Sequence, residues 1–120
     1  MGKVVHDDVL DAALTELGTA TGLSVNTSEP ASRAAAISDN ILDAEPAPGF
    51  DAIANGDTNG RKRRVQASNG NTAGTTATAT HVALFDASVV LYVTTCTSQA
   101  ITSGNTVNVG LWDVEIADPT

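Results

Sequence analysis

Residues 75–97 of the chain have the sequence TTATATHVALFDASVVLYVTTCT. Two runs rich in Thr, Val and Ala, residues 75–85 and 89–97, flank the short polar segment Asp86-Ala87-Ser88. β-Branched residues pack well on a pleated surface, and Asp and Ser favour turns. The segment therefore predicts two long antiparallel strands joined by a tight turn, and it marks the C-terminal half as β-rich.

The same composition continues on both sides of this hairpin. Turn-forming residues recur at short intervals and separate further predicted strands. The strands are expected at residues 62–68, 106–109 and 111–117, with turns at Asn69-Gly70-Asn71 and Ser103-Gly104-Asn105.

The last predicted strand has a clear alternation. Trp112, Val114 and Ile116 occupy every second position, and acidic residues lie between them, as in a strand that is buried on one face. Val107 and Val109 have the opposite parity, so Gly110 is expected to host a bulge or tight bend. This pattern favours a meander or a sandwich.

The N-terminal part is different in character. Residues 7–17 predict an amphipathic helix, because apolar side chains recur there at three- and four-residue spacing: Val9, Leu10, Ala13, Leu14 and Leu17. Asp7 and Asp8 suit the positive end of a helix, and Gly18 is placed as its C-terminal stop.

The segment between the helix and the β-rich half is less regular. Residues 23–26 alternate and predict a short strand, and residues 32–43 suit either a second short helix or an irregular extended arm. Residues 45–60 contain two Pro, three Gly and two Asn-Gly pairs, which predict a loop with at most a brief strand around residues 50–54.

The expected fold is one domain over residues 1–120. It is mainly β, a small antiparallel β-sandwich or barrel-like domain, with a helix and extended arm in residues 1–45 and the β-rich core in residues 60–120. Aromatic residues make up only 3% of the chain, so its core is built from smaller side chains that bury less apolar area. Association with other chains is an expected supplement to this thin core.

Charge and composition exclude several classes of protein. A net charge of −8 disfavours binding to nucleic acid and to anionic membrane surfaces. The N-terminal residues lack the apolar segment of a secretory signal, so synthesis in a reducing bacterial cytoplasm is expected. Cys96, the single cysteine, cannot form an intramolecular disulfide and is interpreted as a small buried residue at a strand end.

Two segments are candidate interfaces. The first is the basic run Arg61-Lys62-Arg63-Arg64, which could contact an acidic protein or a neighbouring subunit, contact nucleic acid, or form a solvated edge strand protected by its charges. In a strand, alternate side chains leave on opposite faces, so only half of the run could form one patch. The second is the predicted helix, through Val9, Leu10 and Leu14.

No residue pattern in the sequence predicts catalysis, a cofactor site or a metal site. His6 and His81 lack a supporting ligand motif, and roles at a helix start and in strand packing are preferred for them. Residues 51–60 resemble a calcium loop superficially, but Ile53 and Lys62 stand where oxygen ligands are needed, which favours an ordinary turn. Trp112 suits core packing better than an interface because of its parity.

Six segments along the chain together carry a resemblance to a known family. They are Val5-His6-Asp7-Asp8-Val9-Leu10-Asp11-Ala12-Ala13-Leu14, Gly60-Arg61-Lys62, Ala77-Thr78-Ala79-Thr80-His81-Val82-Ala83-Leu84, Ser98-Gln99-Ala100, Thr102-Ser103-Gly104-Asn105-Thr106 and Ile116-Ala117-Asp118-Pro119. With these segments the chain resembles small virion structural proteins of tailed bacteriophages. The resemblance implies a β-rich, non-enzymatic particle component.

Within a virion, the expected role is that of a capsid decoration protein, which binds the outer shell and bridges neighbouring subunits. The expected partners are the major capsid protein and other copies of this chain. Two alternatives stay open: a neck, tail or fibre-associated subunit, and a free-standing binding module for an acidic protein or a glycan.

Overall fold

The computed structural model describes residues 4–119, and within that range the chain forms two helices and eight strands. The helices are α1 (Asp7–Leu17) and α2 (Arg33–Ser38). The strands are β1 (Gly22–Asn26), β2 (Ala54–Asn55), β3 (Arg61–Val65), β4 (Ser68–Thr72), β5 (Ala77–Phe85), β6 (Val90–Ile101), β7 (Thr106–Val109) and β8 (Trp112–Ile116). Neither helix is long and apolar enough to cross a membrane.

The strands are antiparallel throughout and lie in three small sheets, ordered β1-β5-β6, β2-β3-β8 and β4-β7. Two of these sheets, β2-β3-β8 and β4-β7, are halves of one interrupted ribbon, because Val65 pairs with Trp112 and Ser68 pairs with Val109 in continuous register. The ribbon is interrupted where residues 66–67 oppose Gly110 and Leu111. The pairing is thus interrupted at Gly110, the position where a bulge or tight bend was predicted.

A loop segment, residues 41–50, joins the first sheet to the ribbon. The backbone N–H of Ile41 donates to the oxygen of Val25 in β1 at 2.8 Å, and the N–H of Gln66 donates to the oxygen of Gly49 at 2.8 Å. The resulting order around the domain is β6, β5, β1, the loop segment, then the ribbon. The fold is thus mainly β and barrel-like, as predicted, and it stays open on one side between β6 and the strands β7 and β8.

One main core lies between the sheet, the ribbon and α1. Its buried side chains come from all parts of the chain, and include Leu14, Leu17, Leu23, Val25, Ile41, Val65, Leu84 and Val114. The segment predicted as helix and arm, before position 45, and the predicted β-rich core, after position 60, therefore share one core. A second, smaller cluster of Ala36, Ala83 and Phe85 holds α2 against β5.

A buried polar pair also ties α2 to the first sheet. Ser24 and Asn26 are fully buried in β1. The Ser24 hydroxyl donates to Asn26 Oδ1 at 2.7 Å, and Asn26 Nδ2 donates to the backbone oxygen of Ala36 at 2.9 Å. Each of these buried groups has a partner, which removes most of the cost of placing them inside.

Some sequence-based boundaries were wrong. Asn69-Gly70-Asn71 lies inside β4 and does not form a turn, because a bulge between Ser68 and Asn71 and a φ of +75° at Gly70 accommodate these residues in a strand. The second helix covers only residues 33–38 of the expected 32–43. Strand β6 runs on to Ile101, four residues past the expected end at position 97.

Candidate association surface

The charged side chains of the basic strand β3 bind partners within the chain. Arg61 Nε donates to Asp11 Oδ1 in α1 at 2.7 Å, and Arg63 Nη1 donates to the backbone oxygen of Leu14 at 3.1 Å. On the opposite face, Lys62 and Arg64 share the carboxylate of Asp113, at 3.7 and 2.9 Å. The predicted alternation is confirmed. The side chains of Arg61 and Arg63 lie on the face toward α1, and those of Lys62 and Arg64 lie on the other face, beside Asp113 of β8.

These hydrogen bonds also fix the protonation of the cations. The hydrogen bond that Arg61 donates to Asp11 raises the pKa of Arg61. In the same way, the hydrogen bond to Asp57 raises the pKa of Lys62, and the hydrogen bond to Asp113 raises the pKa of Arg64. All three stay positively charged at neutral pH. Arg64 has the most exposed of these side chains, at 44%, so it is the member of the run best placed to reach a partner.

Arg63 has a further function at the end of α1. The last turn of α1 contains no basic residue, and the guanidinium of Arg63 supplies positive charge there from another element, where the helix dipole favours it. The same guanidinium lies 5.1 Å from the centre of the Phe50 ring. A Cβ at Gly18 would lie 2.1 Å from Arg63 Nη1, so Gly18 ends the helix and also leaves room for this arginine.

The three helix residues predicted as interface candidates lie in different environments. Leu10 and Leu14 are buried, at 7% and 1% exposure, and Val9 is 61% exposed. Leu14 packs in the core under β3, so it is not available to a partner of the folded domain. Of the three, only Val9 presents an apolar side chain to the surface.

The two histidines have structural contacts. His6 caps the N-terminus of α1, where its Nδ1 accepts from the N–H of Asp8 at 3.1 Å. His81 lies in β5, and its Nδ1 is 2.8 Å from the hydroxyl of Thr80. The loop that resembles a calcium site is a turn closed by the N–H of Gly56 donating to Gly60 at 2.9 Å.

Cys96 and Trp112 lie on either side of the open flank. The prediction that Cys96 is buried was wrong: it is exposed, because β6 bulges at this point and no strand of the described part of the chain lies beside its outer edge. Desolvation raises the pKa of its thiol. Trp112 packs against the core as predicted, but within residues 4–119 its buried Nε1 has no hydrogen-bond acceptor.

The open flank is a cleft that runs along β6. One wall is β6 from Leu91 to Ile101, and the other wall is formed by β7 and β8, with α1 at one end. The cleft consists of three adjoining cavities of about 370, 240 and 340 Å³. No strand among residues 4–119 pairs with the outer edge of β6 or with the edge of β7 and β8 that faces it.

Sequence reasoning missed this cleft, although one signal for it was present. Residues 87–112 form 26 consecutive positions without a charged side chain, in a chain where 17% of residues are charged. Natural edge strands usually carry charges or Pro that prevent pairing with other chains. A long uncharged strand that lies at an edge is therefore a candidate association surface.

Comparisons of the chain with protein-family models, with curated proteins and with solved structures gave no match. The geometry of the β6 edge and its cleft therefore carries the functional interpretation.

Proposed function

We propose that this chain is a non-enzymatic structural subunit of a tailed-phage particle, and that it acts as a decoration protein on the outer face of the shell. The particle assignment is supported by the resemblance of its N-terminal, central and C-terminal segments to small virion proteins. The associating role is supported by one structural observation: the outer edge of the 12-residue strand β6 is uncharged, and no strand among residues 4–119 pairs with it.

An edge of this kind favours association through the backbone. Its free N–H and C=O groups can hydrogen-bond to a strand of another subunit, and main-chain pairing of this type recurs in protein recognition. In the proposed role, the partners are the major capsid protein and other copies of this chain. The body is 54 Å long and about 25 Å across, which allows one copy to contact more than one neighbour at a junction of the shell.

Most charged side chains of the basic strand are paired within the domain, so few of them remain available to contact such a partner. Arg61 and Arg63 hold α1, and Lys62 is held by Asp57 and Asp113. In the proposed role, the contacts on this side of the domain come from Arg64 and from Val9 of α1. Both are exposed, at 44% for the Arg64 side chain and 61% for Val9.

Quantitative mass spectrometry of purified particles tests the proposal through copy number. A decoration protein is expected in hundreds of copies per particle, and a cryo-EM map should then show it on the outer face of the shell. A handful or a few dozen copies would replace the decoration role with a neck, tail or fibre role. Absence of the chain from purified particles would overturn the virion proposal and favour a free-standing binding module.

A further inference from the structure

We propose that β6 pairs antiparallel with β6 of a second copy of this chain, which joins two three-stranded sheets into one six-stranded sheet. The inference rests on the proposed function, because that function requires the subunit to associate. It goes further by naming the contact between two copies of the chain. Two identical strands pair in this way around a two-fold axis perpendicular to the sheet. The same face of each sheet then stays toward its own core, and the two clefts meet at the axis.

The first argument is that the other outer strand of this sheet is already covered. The edge of β1 that faces away from β5 is occupied by the loop segment 41–50 and by side chains that cap it. For example, Asn40 Oδ1 accepts from the N–H of Val25 at 3.1 Å, and Asp39 Oδ2 accepts from the N–H of Thr27 at 2.8 Å. Within residues 4–119, the outer edge of β6 has no equivalent cover.

The second argument is electrostatic and identifies the occupant. Each copy carries a net charge of −8, so two copies repel each other over most of their surfaces. Residues 87–112 carry no charge, so the electrostatic repulsion between two copies is smallest when they approach each other along β6. A charged partner strand would gain no ion pair from this edge and would lose hydration of its own charges. The edge therefore fits an uncharged strand, and β6 itself is such a strand.

The third argument concerns length and regularity. One bulge sets Cys96, Thr97 and Ser98 opposite the single residue Thr80, and a second leaves Leu91 as an extra residue between Val90 and Tyr92. Bulges disturb pairing along an edge. Between the two bulges, residues 92–95 keep a regular register with β5. Four residues at about 3.4 Å each span roughly 14 Å, which is within the usual range for a paired strand. We place the contact in this run.

The side chains in this run suit burial between two copies. They are Tyr92, Val93, Thr94 and Thr95, of which the first three are already partly buried in one copy. β-Branched and aromatic residues form favourable cross-strand pairs. Thr95 is exposed and makes no side-chain hydrogen bond within residues 4–119, so it is the position where a substitution reports on the contact with least effect on the fold.

Sedimentation of the purified chain alone tests the inference. At about 0.1 mM, where a micromolar dimer is almost fully assembled, we expect a species of roughly 24 kDa, twice the mass of the 12.2 kDa chain. Thr95→Lys should weaken dimerisation at least tenfold, because each lysine would place a charge opposite Tyr92 of the other copy in a contact that is otherwise uncharged. Thr58→Lys is the matched control: it adds the same charge at an exposed turn residue and should leave the dimer intact.

Cysteine cross-linking locates the contact without relying on a charged variant. Single cysteines at positions 93, 94, 95 and 96 are compared under mild oxidation above pH 8, with Cys96→Ser as the background for the first three. At least one should give a disulfide dimer, because a residue near the two-fold axis faces its own copy. Cys96→Ser/Glu29→Cys, in an exposed turn, should not.

A monomer at 0.1 mM would overturn the inference. So would a dimer that resists Thr95→Lys and forms no cross-link at positions 93–96. If Thr95→Lys fails to fold, the cross-linking result decides alone. These results concern the isolated chain, so a failure here is distinct from absence of the protein from particles, which would overturn the proposed function.

Discussion

Arg61 and Asp11 join strand β3 to helix α1 across 50 positions of sequence. Arg61 Nε donates to Asp11 Oδ1 at 2.7 Å and Nη2 donates to Oδ2 at 3.3 Å, and the two side chains are only 18% and 30% exposed. Arg63 completes the attachment at the other end of the helix through the oxygen of Leu14. Alternate residues of the basic strand thus hold α1 on the domain.

The first prediction concerns this attachment. Arg63→Ala should lower the free energy of unfolding by about 1 to 2 kcal/mol, because it removes charge-assisted hydrogen bonds to two backbone oxygens and the cation–π contact with Phe50. Urea unfolding measures the loss. Arg64→Ala is the control: its side chain is more exposed, and Lys62 stays within 3.7 Å of Asp113. An equal loss in both variants would contradict the assigned function of Arg63.

The second prediction separates backbone strain from steric conflict at two glycines. Gly60 and Gly70 have nearly the same φ, +73° and +75°. A Cβ at Gly60 would lie 1.9 Å from the backbone oxygen of Ile116, whereas a Cβ at Gly70 would meet nothing within 4 Å. Gly70→Ala should therefore cost about 1 to 2 kcal/mol from conformation alone.

Gly60→Ala should cost more than about 3 kcal/mol, because the ribbon must also open to relieve the clash. Chemical denaturation of both variants measures the difference. Losses of the same size would show that β3 and β8 can shift apart at little cost.

The elements set by local pattern were predictable from the sequence. The 3.6-residue spacing in residues 7–17 predicted the observed bounds of α1, and the parity change between Val109 and Trp112 marked Gly110, where the strands β7 and β8 are interrupted. Both signals arise within a few neighbouring residues. The misplaced turn at Asn69-Gly70-Asn71 has a related cause: positive φ suits a bulge in a strand as well as a turn.

The pairing of distant segments was not predictable in the same way. Which strand lies beside β3 depends on the packing of α1 and β8, which lie about 50 positions away on either side. The basic run was therefore recognised as unusual, but its internal partners Asp11 and Asp113 were not. For the same reason, the position of β6 at an open edge follows only from the assembled sheet order.

The third prediction concerns acid stability at the β5–β6 turn. Asp86 Oδ1 accepts from the N–H groups of Ser88 and Val89 at 2.7 and 2.8 Å. The hydrogen bond from Val89, and then that from Ser88, lowers the pKa of Asp86 below its ordinary 3.8. Ionised Asp86 therefore stabilises the folded state above that ordinary value, and the contribution is lost as the pH falls through the lower pKa of the folded state.

Asp86→Asn removes this charge and keeps a side-chain oxygen as an acceptor. The variant should have a lower Tm than the unmodified chain at pH 7, and the difference should shrink as the pH falls below the ordinary pKa of 3.8. Calorimetry from pH 7 to pH 2 measures it. A difference in Tm that stays constant over this range would show that the charge of Asp86 does not contribute.

The fourth prediction separates the two faces of α1. Leu14→Ala should cost about 2 to 5 kcal/mol, because Leu14 is 1% exposed and its truncation leaves a cavity in the core. Val9→Glu should change the free energy of unfolding by no more than about 0.5 kcal/mol, since Val9 lies at the surface.

In the proposed role on a particle, Val9→Glu should nevertheless weaken binding to particles that lack the protein. Thr15→Glu, which adds the same charge at another exposed position of α1, should bind normally. Co-sedimentation with such particles measures binding, and equal binding by both variants would remove Val9 from the contact surface and leave α1 with a purely structural function.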